Sequence, residues 1–123
     1  MIKGIGTDLL EIARIEKALG RSDKIARRIL TDNEFAEFSQ SKHAVRFLAK
    51  RFAAKEAVVK ALGTGIGNGV GWQHIEITKD ALGKPLITLN SGALERAKML
   101  GAQYYHLSYS DERDFLVAMV VIE

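Results

Sequence analysis

Glu56 and Lys60 stand four residues apart in the stretch Arg51-Phe52-Ala53-Ala54-Lys55-Glu56-Ala57-Val58-Val59-Lys60. On a helix, that spacing places a carboxylate and an ammonium one turn apart on neighbouring positions. Glu56 shares a helical stripe with Val45, Ala49, Phe52, Val59 and Gly63, while Phe47, Ala54, Val58 and Ala61 lie on the opposite side. A helix that is apolar on two sides is buried between layers. A carboxylate inside an apolar stripe must be paired, hydrogen-bonded or bound to a metal. Two readings follow. The pair is an i,i+4 salt bridge supporting the helix, which is the commoner use of such spacing. Alternatively, the stripe faces a cleft, with Glu56 as a metal ligand or base and Lys60 as a phosphate contact or acid. Arg51 and Lys55 lie together on another side and are expected in solvent.

Asp8 follows Gly4-Ile5-Gly6-Thr7. It either caps a helix starting at Leu9 or supplies a binding group at a strand end. Gly4 and Gly6 weaken a strand unless another backbone or a ligand approaches closely. Glycine recurs at every second position from Gly63 to Gly71. This run lacks the lysine and hydroxyl residue of a P-loop, and it follows a helix where a dinucleotide fingerprint would open one. It is either a flexible connection after a helix cap or a nest of amides lining a phosphate site. Arg14, Lys17, Arg21, Lys24 and Arg28 recur at three- and four-residue steps and, with Arg27, outline a positive ridge fit to dock an acidic partner. His43, His74 and His106 show no metal-binding spacing; His106 shares its strand parity with Tyr104, Ser108 and Ser110.

The elements expected to position these groups run through the whole chain. A strand is expected over 2–7, then helices over 9–19 and about 23–30. Another helix opens at the capping-box pattern Thr31…Glu34. A long helix over about 42–62 is closed by Gly63. Segments 72–78 and 86–89 form a hairpin. Ser91 caps a helix through Leu100, closed by Gly101, and strands over 104–110 and 115–122 end the chain. Hairpins dominate this order, so the expected class is α+β, with helices packed on a mostly antiparallel sheet.

The 123 residues, 47% of them hydrophobic, fit one domain over 1–123 with its own core. There is no cysteine, which rules out disulfides and thiolate zinc sites. No apolar run approaches the roughly 20 residues that span a bilayer, and Asp8 and Glu11 follow the N-terminus closely, so a cytoplasmic protein is expected. The net charge of +3 mildly favours an anionic partner. A nucleic-acid-binding domain is the main alternative from another class. Glu11, Glu16 and Asp23 interrupt the basic ridge and no recognised motif is present, so no nucleic-acid partner is expected.

Together these pieces resemble the short bacterial class of phosphopantetheinyl transferases, the holo-acyl-carrier-protein synthases. The resemblance runs through Gly4-Ile5-Gly6-Thr7-Asp8, Glu11-Ile12-Ala13-Arg14-Ile15, Arg28-Ile29-Leu30-Thr31, the Arg51–Lys60 stretch, Gly63-Thr64-Gly65-Ile66-Gly67 and Gly83-Lys84-Pro85. His106 and Ser108 match a last motif, while Ser110-Asp111 stands where many relatives have Ser-His. The resemblance implies transfer of 4′-phosphopantetheine from coenzyme A to a serine of acyl carrier protein. In it, Asp8 and Glu56 hold Mg²⁺ with the coenzyme A pyrophosphate, and Lys60 sits near the leaving phosphate. Gly63, Thr64 and Gly65 border the pyrophosphate, Pro85 lies by the adenine, and Arg51 and His106 lie near the nucleotide phosphates. Glu56 or a metal-bound water takes the serine proton. Arg14, Arg21, Lys24 and Arg28 dock the carrier protein. A homotrimer with active sites between protomers is implied as well. A coenzyme A-binding module without catalysis would not need Asp8, Glu56 and Lys60 together.

Overall fold

The computed structural model describes residues Met1–Glu123. Its centre is α4 (Ala44–Leu62), which buries Leu48, Ala49, Ala53, Ala54, Ala57, Val58, Val59, Ala61 and Leu62. The helix is thus apolar on more than one side, as its wheel requires. Gly63 ends it in the left-handed conformation at φ 77°, the role glycine fills without a β-carbon penalty.

Strand β1 (Gly4–Glu11) crosses this helix and pairs antiparallel with β5 (Phe115–Ile122) from Gly4↔Ile122 to Glu11↔Phe115. β5 also pairs with β4 (Tyr105–Asp111), giving the three-stranded order β1-β5-β4. The hairpin of β2 (Ile75–Lys79) and β3 (Pro85–Leu89) forms a separate two-stranded sheet. The helices therefore pack against two antiparallel sheets. One cluster of buried apolar residues runs from Leu10 in β1 through α4 to Ile122 in β5.

Helix α1 (Ile12–Leu19) begins three residues later than its spacing predicts. Leu9 is exposed and Leu10 buried, so the two-residue period of a strand prevails over the helical one where β5 offers a full-length partner. Asp8 consequently lies inside a strand and caps no helix. Helix α2 (Lys24–Ile29) follows a short break after Gly20. Helix α3 (Asp32–Gln40) carries the expected capping box: Thr31 Oγ1 accepts from the Glu34 amide at 3.2 Å, and Glu34 Oε1 accepts from the Thr31 amide at 2.9 Å. A 3₁₀ turn (Trp72–His74) precedes β2, where strand was expected. Helix α5 (Ser91–Leu100) has Asn90 at its N-cap, not Ser91, and makes no side-chain cap bond.

Gly4 and Gly6 explain how β1 and α4 meet. A β-carbon at Gly4 would lie 2.1 Å from the Ala61 carbonyl oxygen, and one at Gly6 would lie 1.9 Å from that of Ala57. The close approach these glycines permit is that of a helix backbone.

Candidate active site

Gly4, Gly6, Asp8 and Leu10 occupy one face of β1, since side chains alternate along a strand. That face meets α4, with Gly4 against Ala61 and Gly6 against Ala57. Asp8, next in this series, is carried toward Glu56 and Lys60. Lys60 Nζ donates to Asp8 Oδ1 at 3.2 Å and to the Thr7 carbonyl at 2.9 Å. The expected Glu56–Lys60 salt bridge is not formed: the ammonium turns to the strand because β1 lies within its reach. Asp8 is only 14% exposed, and its Oδ2 is buried without a hydrogen-bond partner.

Glu56 is half-buried. Burial pushes its carboxyl above the ordinary carboxylate range; the charge of Asp8 adds to the shift, and Lys60 offsets part of it. Two carboxylates facing one another with an orphaned oxygen make a site that favours a cation. The donor set is oxygen only, which suits a hard divalent ion such as Mg²⁺, commonly held by one or two carboxylates with substrate phosphates completing its shell. No group of three acidic or histidine side chains is placed to hold a metal ion, so a bound phosphate would be needed as a further ligand.

The loop after α4 differs from the amide nest that its glycines allow. The Gly63 amide donates to the Lys60 carbonyl at 3.1 Å, and the amides of Thr64 and Gly65 both donate to that of Val59, at 3.1 and 3.2 Å. These donors complete the helix cap and are not turned toward a ligand. Gly63 and Thr64 instead line a cavity of about 480 Å³ between the loop and α5, with Asn68, Arg96 and Met99 on its other walls.

Arg51 and Lys55 depart furthest from expectation: both are buried, at 2% and 0% exposure. The reason is Glu34, itself 1% exposed, which meets Lys55 Nζ at 2.6 Å and faces Arg51 Nε at 3.6 Å. A buried charge requires such a partner. The Arg51 guanidinium also lies 4.4 Å over the ring of Phe47, and its Nε and Nη2 have no hydrogen-bond partner. Arg51 shares a basic cavity of about 280 Å³ with His43, Arg46, Lys50 and Lys79. Arg46 is anchored there by Asp111 at 2.9 Å. In the sequence Glu34 is marked only as a capping residue; no periodicity marks its second role.

Other expected residues stand apart from the carboxylates within one chain. His106 pairs in register with Val121, which pairs with Ile5, so it lies on the sheet face turned away from α4. Its Nε2 is 2.7 Å from Glu123 Oε2. Pro85 opens β3 in the second sheet. Arg14, Lys17, Arg21, Lys24 and Arg28 are exposed and make no ion pair, whereas Arg27 is tied to Asp23 at 3.3 Å and stacks on Phe35.

Helices on antiparallel sheets, with two carboxylates and a lysine converging where β1 meets α4 and a separate basic cavity near the start of that helix, define a small phosphate-handling protein. The chain belongs to the 4′-phosphopantetheinyl transferase superfamily, whose family model matches residues 4–120. It is 56% identical over 124 residues to a holo-(acyl-carrier-protein) synthase of Vibrio cholerae, covering 100% of this chain and 98% of that one. The crystal structure of such a synthase from Neisseria meningitidis superposes with a TM-score of 0.92 at 46% identity, covering 100% of this chain and 99% of that one. The Bacillus anthracis synthase, solved in complex with coenzyme A (3′,5′-ADP), has a TM-score of 0.83 at 43% identity, covering 99% of this chain and 96% of that one.

Proposed function

We propose that this chain transfers the 4′-phosphopantetheine group of coenzyme A to a serine of acyl carrier protein, releasing adenosine 3′,5′-bisphosphate, and that Asp8 and Glu56 hold the Mg²⁺ it requires. The observation that carries the metal assignment is the buried Oδ2 of Asp8, which has no hydrogen-bond partner, in a carboxylate near enough to Glu56 for its charge to help raise that carboxyl's pKa. Full-length similarity to synthases of this name supports the reaction.

A divalent cation between these carboxylates would neutralise charge on the pyrophosphate of coenzyme A. The remaining work belongs to the chain's own groups, since phosphoryl transfer depends mainly on in-line positioning and charge stabilisation. The serine oxygen of the carrier protein forms a bond to the β-phosphorus as the bond to the bridging oxygen breaks. A serine hydroxyl needs a base near neutral pH; Glu56, or a water that the cation would hold, is the group assigned to accept its proton. Lys60, half exposed beside Asp8, steadies the departing phosphate. Gly63, Thr64 and Gly65 border the pyrophosphate through their position, with their amides kept in the helix cap. Arg51, which lines the basic cavity although its Nε and Nη2 face Glu34 and Glu37 at 3.6 and 3.9 Å, contacts the nucleotide phosphates, and Pro85 lies by the adenine.

The assembly belongs to the same proposal. Ile5, Leu9, Phe115 and Met119 leave an apolar face of the three-stranded sheet exposed at 47% or more each. An apolar face of this kind marks an interaction surface. Covering it with further copies in a homotrimer brings His106, on that same face, to a neighbour's site. The exposed ridge of Arg14, Arg21, Lys24 and Arg28 docks the acidic carrier protein. Cytoplasmic location and a single transferase domain over residues 1–123, both expected from the sequence, complete this reading.

Intact-mass spectrometry of apo acyl carrier protein, incubated with the chain, coenzyme A and Mg²⁺, tests the reaction. A gain of one phosphopantetheine, lost with EDTA, is expected. No gain on a verified apo carrier would sink the assignment, and salt-sensitive nucleic-acid binding would then become the reading to test.

A further inference from the structure

Lys55 precedes Glu56 in the chain but points to a different side of α4. Its ammonium has three protons and three acceptors: the Ile29 carbonyl at 2.7 Å, Glu34 Oε1 at 2.6 Å and the Trp72 carbonyl at 3.2 Å. Those acceptors come from the end of α2, from α3 and from the 3₁₀ turn. Glu34 is fixed in turn, with Oε2 accepting from the Ile77 amide of β2 at 2.9 Å and Oε1 from the Thr31 amide. Four elements are thereby tied to one point on α4.

A second line of contact runs along the same helix, where β1 presses Gly6 against Ala57 and Gly4 against Ala61. At about 100° per residue, with Lys55 as the origin, Glu56 stands near 100°, Lys60 near 140°, Ala57 near 200° and Ala61 near 240°. The two functional side chains occupy the sector between the two contacts. Apolar packing of α4 against β5 and α1 resists rolling about that line without fixing its angle, and a small roll would swing Glu56 past Asp8. A second fixed point stops the roll.

Resting on the reading of Asp8 and Glu56 as metal ligands, we propose that Lys55 and Glu34 are positioning residues that set the rotation of α4 and so the aim of Glu56 at Asp8. Stability alone does not account for the pair, because a buried ion pair replaced by apolar groups is often no less stable. Its three directional bonds supply what an apolar side chain lacks, a defined orientation.

The test measures Mg²⁺ binding to the whole chain with coenzyme A by calorimetry, alongside thermal unfolding and transfer rate. Lys55→Met, the near-isosteric Glu34→Gln and the double variant are compared with a core truncation outside the clamp, Leu107→Ala. Mg²⁺ affinity is expected to fall about 10- to 100-fold in both single variants, as for other residues that orient metal ligands, with kcat falling and the KM for coenzyme A little changed. Leu107→Ala should lose stability and keep its Mg²⁺ affinity. The double variant leaves the buried Arg51 guanidinium without Glu34, so it should melt no higher than Lys55→Met and still bind Mg²⁺ weakly. The inference is overturned if folded Glu34→Gln binds Mg²⁺ like the parent, or if the folded double variant does. A parent chain that neither binds Mg²⁺ nor transfers overturns the functional reading itself, and the positioning role with it.

Discussion

The carbonyl oxygen of Ala57 stands where the β-carbon of any other residue at position 6 would have to be, 1.9 Å from it. The contact is between backbones, so no side-chain rotation relieves it. Gly6→Ala is expected to part β1 from α4, costing about 1–3 kcal/mol as overpacking does. It also moves Asp8, two residues along the same face, away from Glu56. Urea unfolding and transfer rate read the two effects, and both should fall. Gly20→Ala, whose nearest obstacle is the Lys17 carbonyl at 3.4 Å, should change neither. A Gly6→Ala chain as stable as the parent would mean that this contact does not set the spacing.

Glu56→Gln should abolish transfer and yet raise the melting temperature of the chain measured in EDTA at pH 7. Burial first, then the charge of Asp8, raises the Glu56 carboxyl above its ordinary value of 4.5. A folded-state pKa above the unfolded one gives a contribution that is complete below the unfolded value and lost as pH rises through the folded one. At neutral pH the ionised carboxylate therefore weighs against the fold, and glutamine removes that weight. The gap in melting temperature between variant and parent should close as pH is lowered toward 4.5. A variant that melts lower than the parent at pH 7 would contradict the assignment of strain to this carboxylate.

Local rules made much of this fold legible in the sequence. The Thr31–Glu34 capping box, the Gly63 and Gly101 caps and the last two strands stand close to where short-range patterns put them. What escaped depends on partners distant in sequence. Leu9 to Glu11 have helical spacing but become strand because β5 pairs with them. Lys60 has Glu56 at the right spacing but takes Asp8, 52 residues away. Lys55 and Arg51 look like a solvated pair until α3 folds over them with Glu34. The candidate site was legible because its residues fall in two short motifs. Its supporting shell was not, since a buried ion pair leaves no mark of its own in a linear pattern.

Tyr109 should give the fold an alkaline limit. Burial pushes its phenol up to about 12, and the Arg51 guanidinium offsets only part of that. Because the folded value exceeds the unfolded value of 10.0, the contribution is complete below pH 10 and disappears as pH rises through 12. A shift of this size corresponds to about 3 kcal/mol. Tyr109→Phe should hold its stability better than the parent between those limits. It should be nearly neutral at pH 7, because the hydroxyl is buried without a hydrogen-bond partner. Denaturant midpoints across pH, with an ultraviolet titration of the tyrosines, check both statements. A phenol at position 109 that ionises with exposed Tyr104 would overturn them.

The ridge on α1 and α2 should act on one substrate only. Arg14 and Arg21 are exposed and unpaired, so reversing both to glutamate breaks no internal contact and should leave the melting temperature nearly unchanged. Charges at the rim of a docking surface act mainly through encounter, and such steering is worth roughly tenfold or more in association rate at low salt. The double variant Arg14→Glu/Arg21→Glu should therefore raise the KM for acyl carrier protein by at least about tenfold, with the KM for coenzyme A unchanged. Its carrier-protein KM should also respond less to added salt, because screening weakens an attraction that the variant has already lost. Lys98→Glu on α5 changes net charge equally per substitution at an exposed site outside the ridge, and should move neither KM much. If Lys98→Glu raised the carrier-protein KM as far per charge as the ridge variant, the effect would belong to net charge alone. If the ridge variant left that KM unchanged, α1 and α2 would not be the docking face, and the carrier protein would have to reach Glu56 from another side.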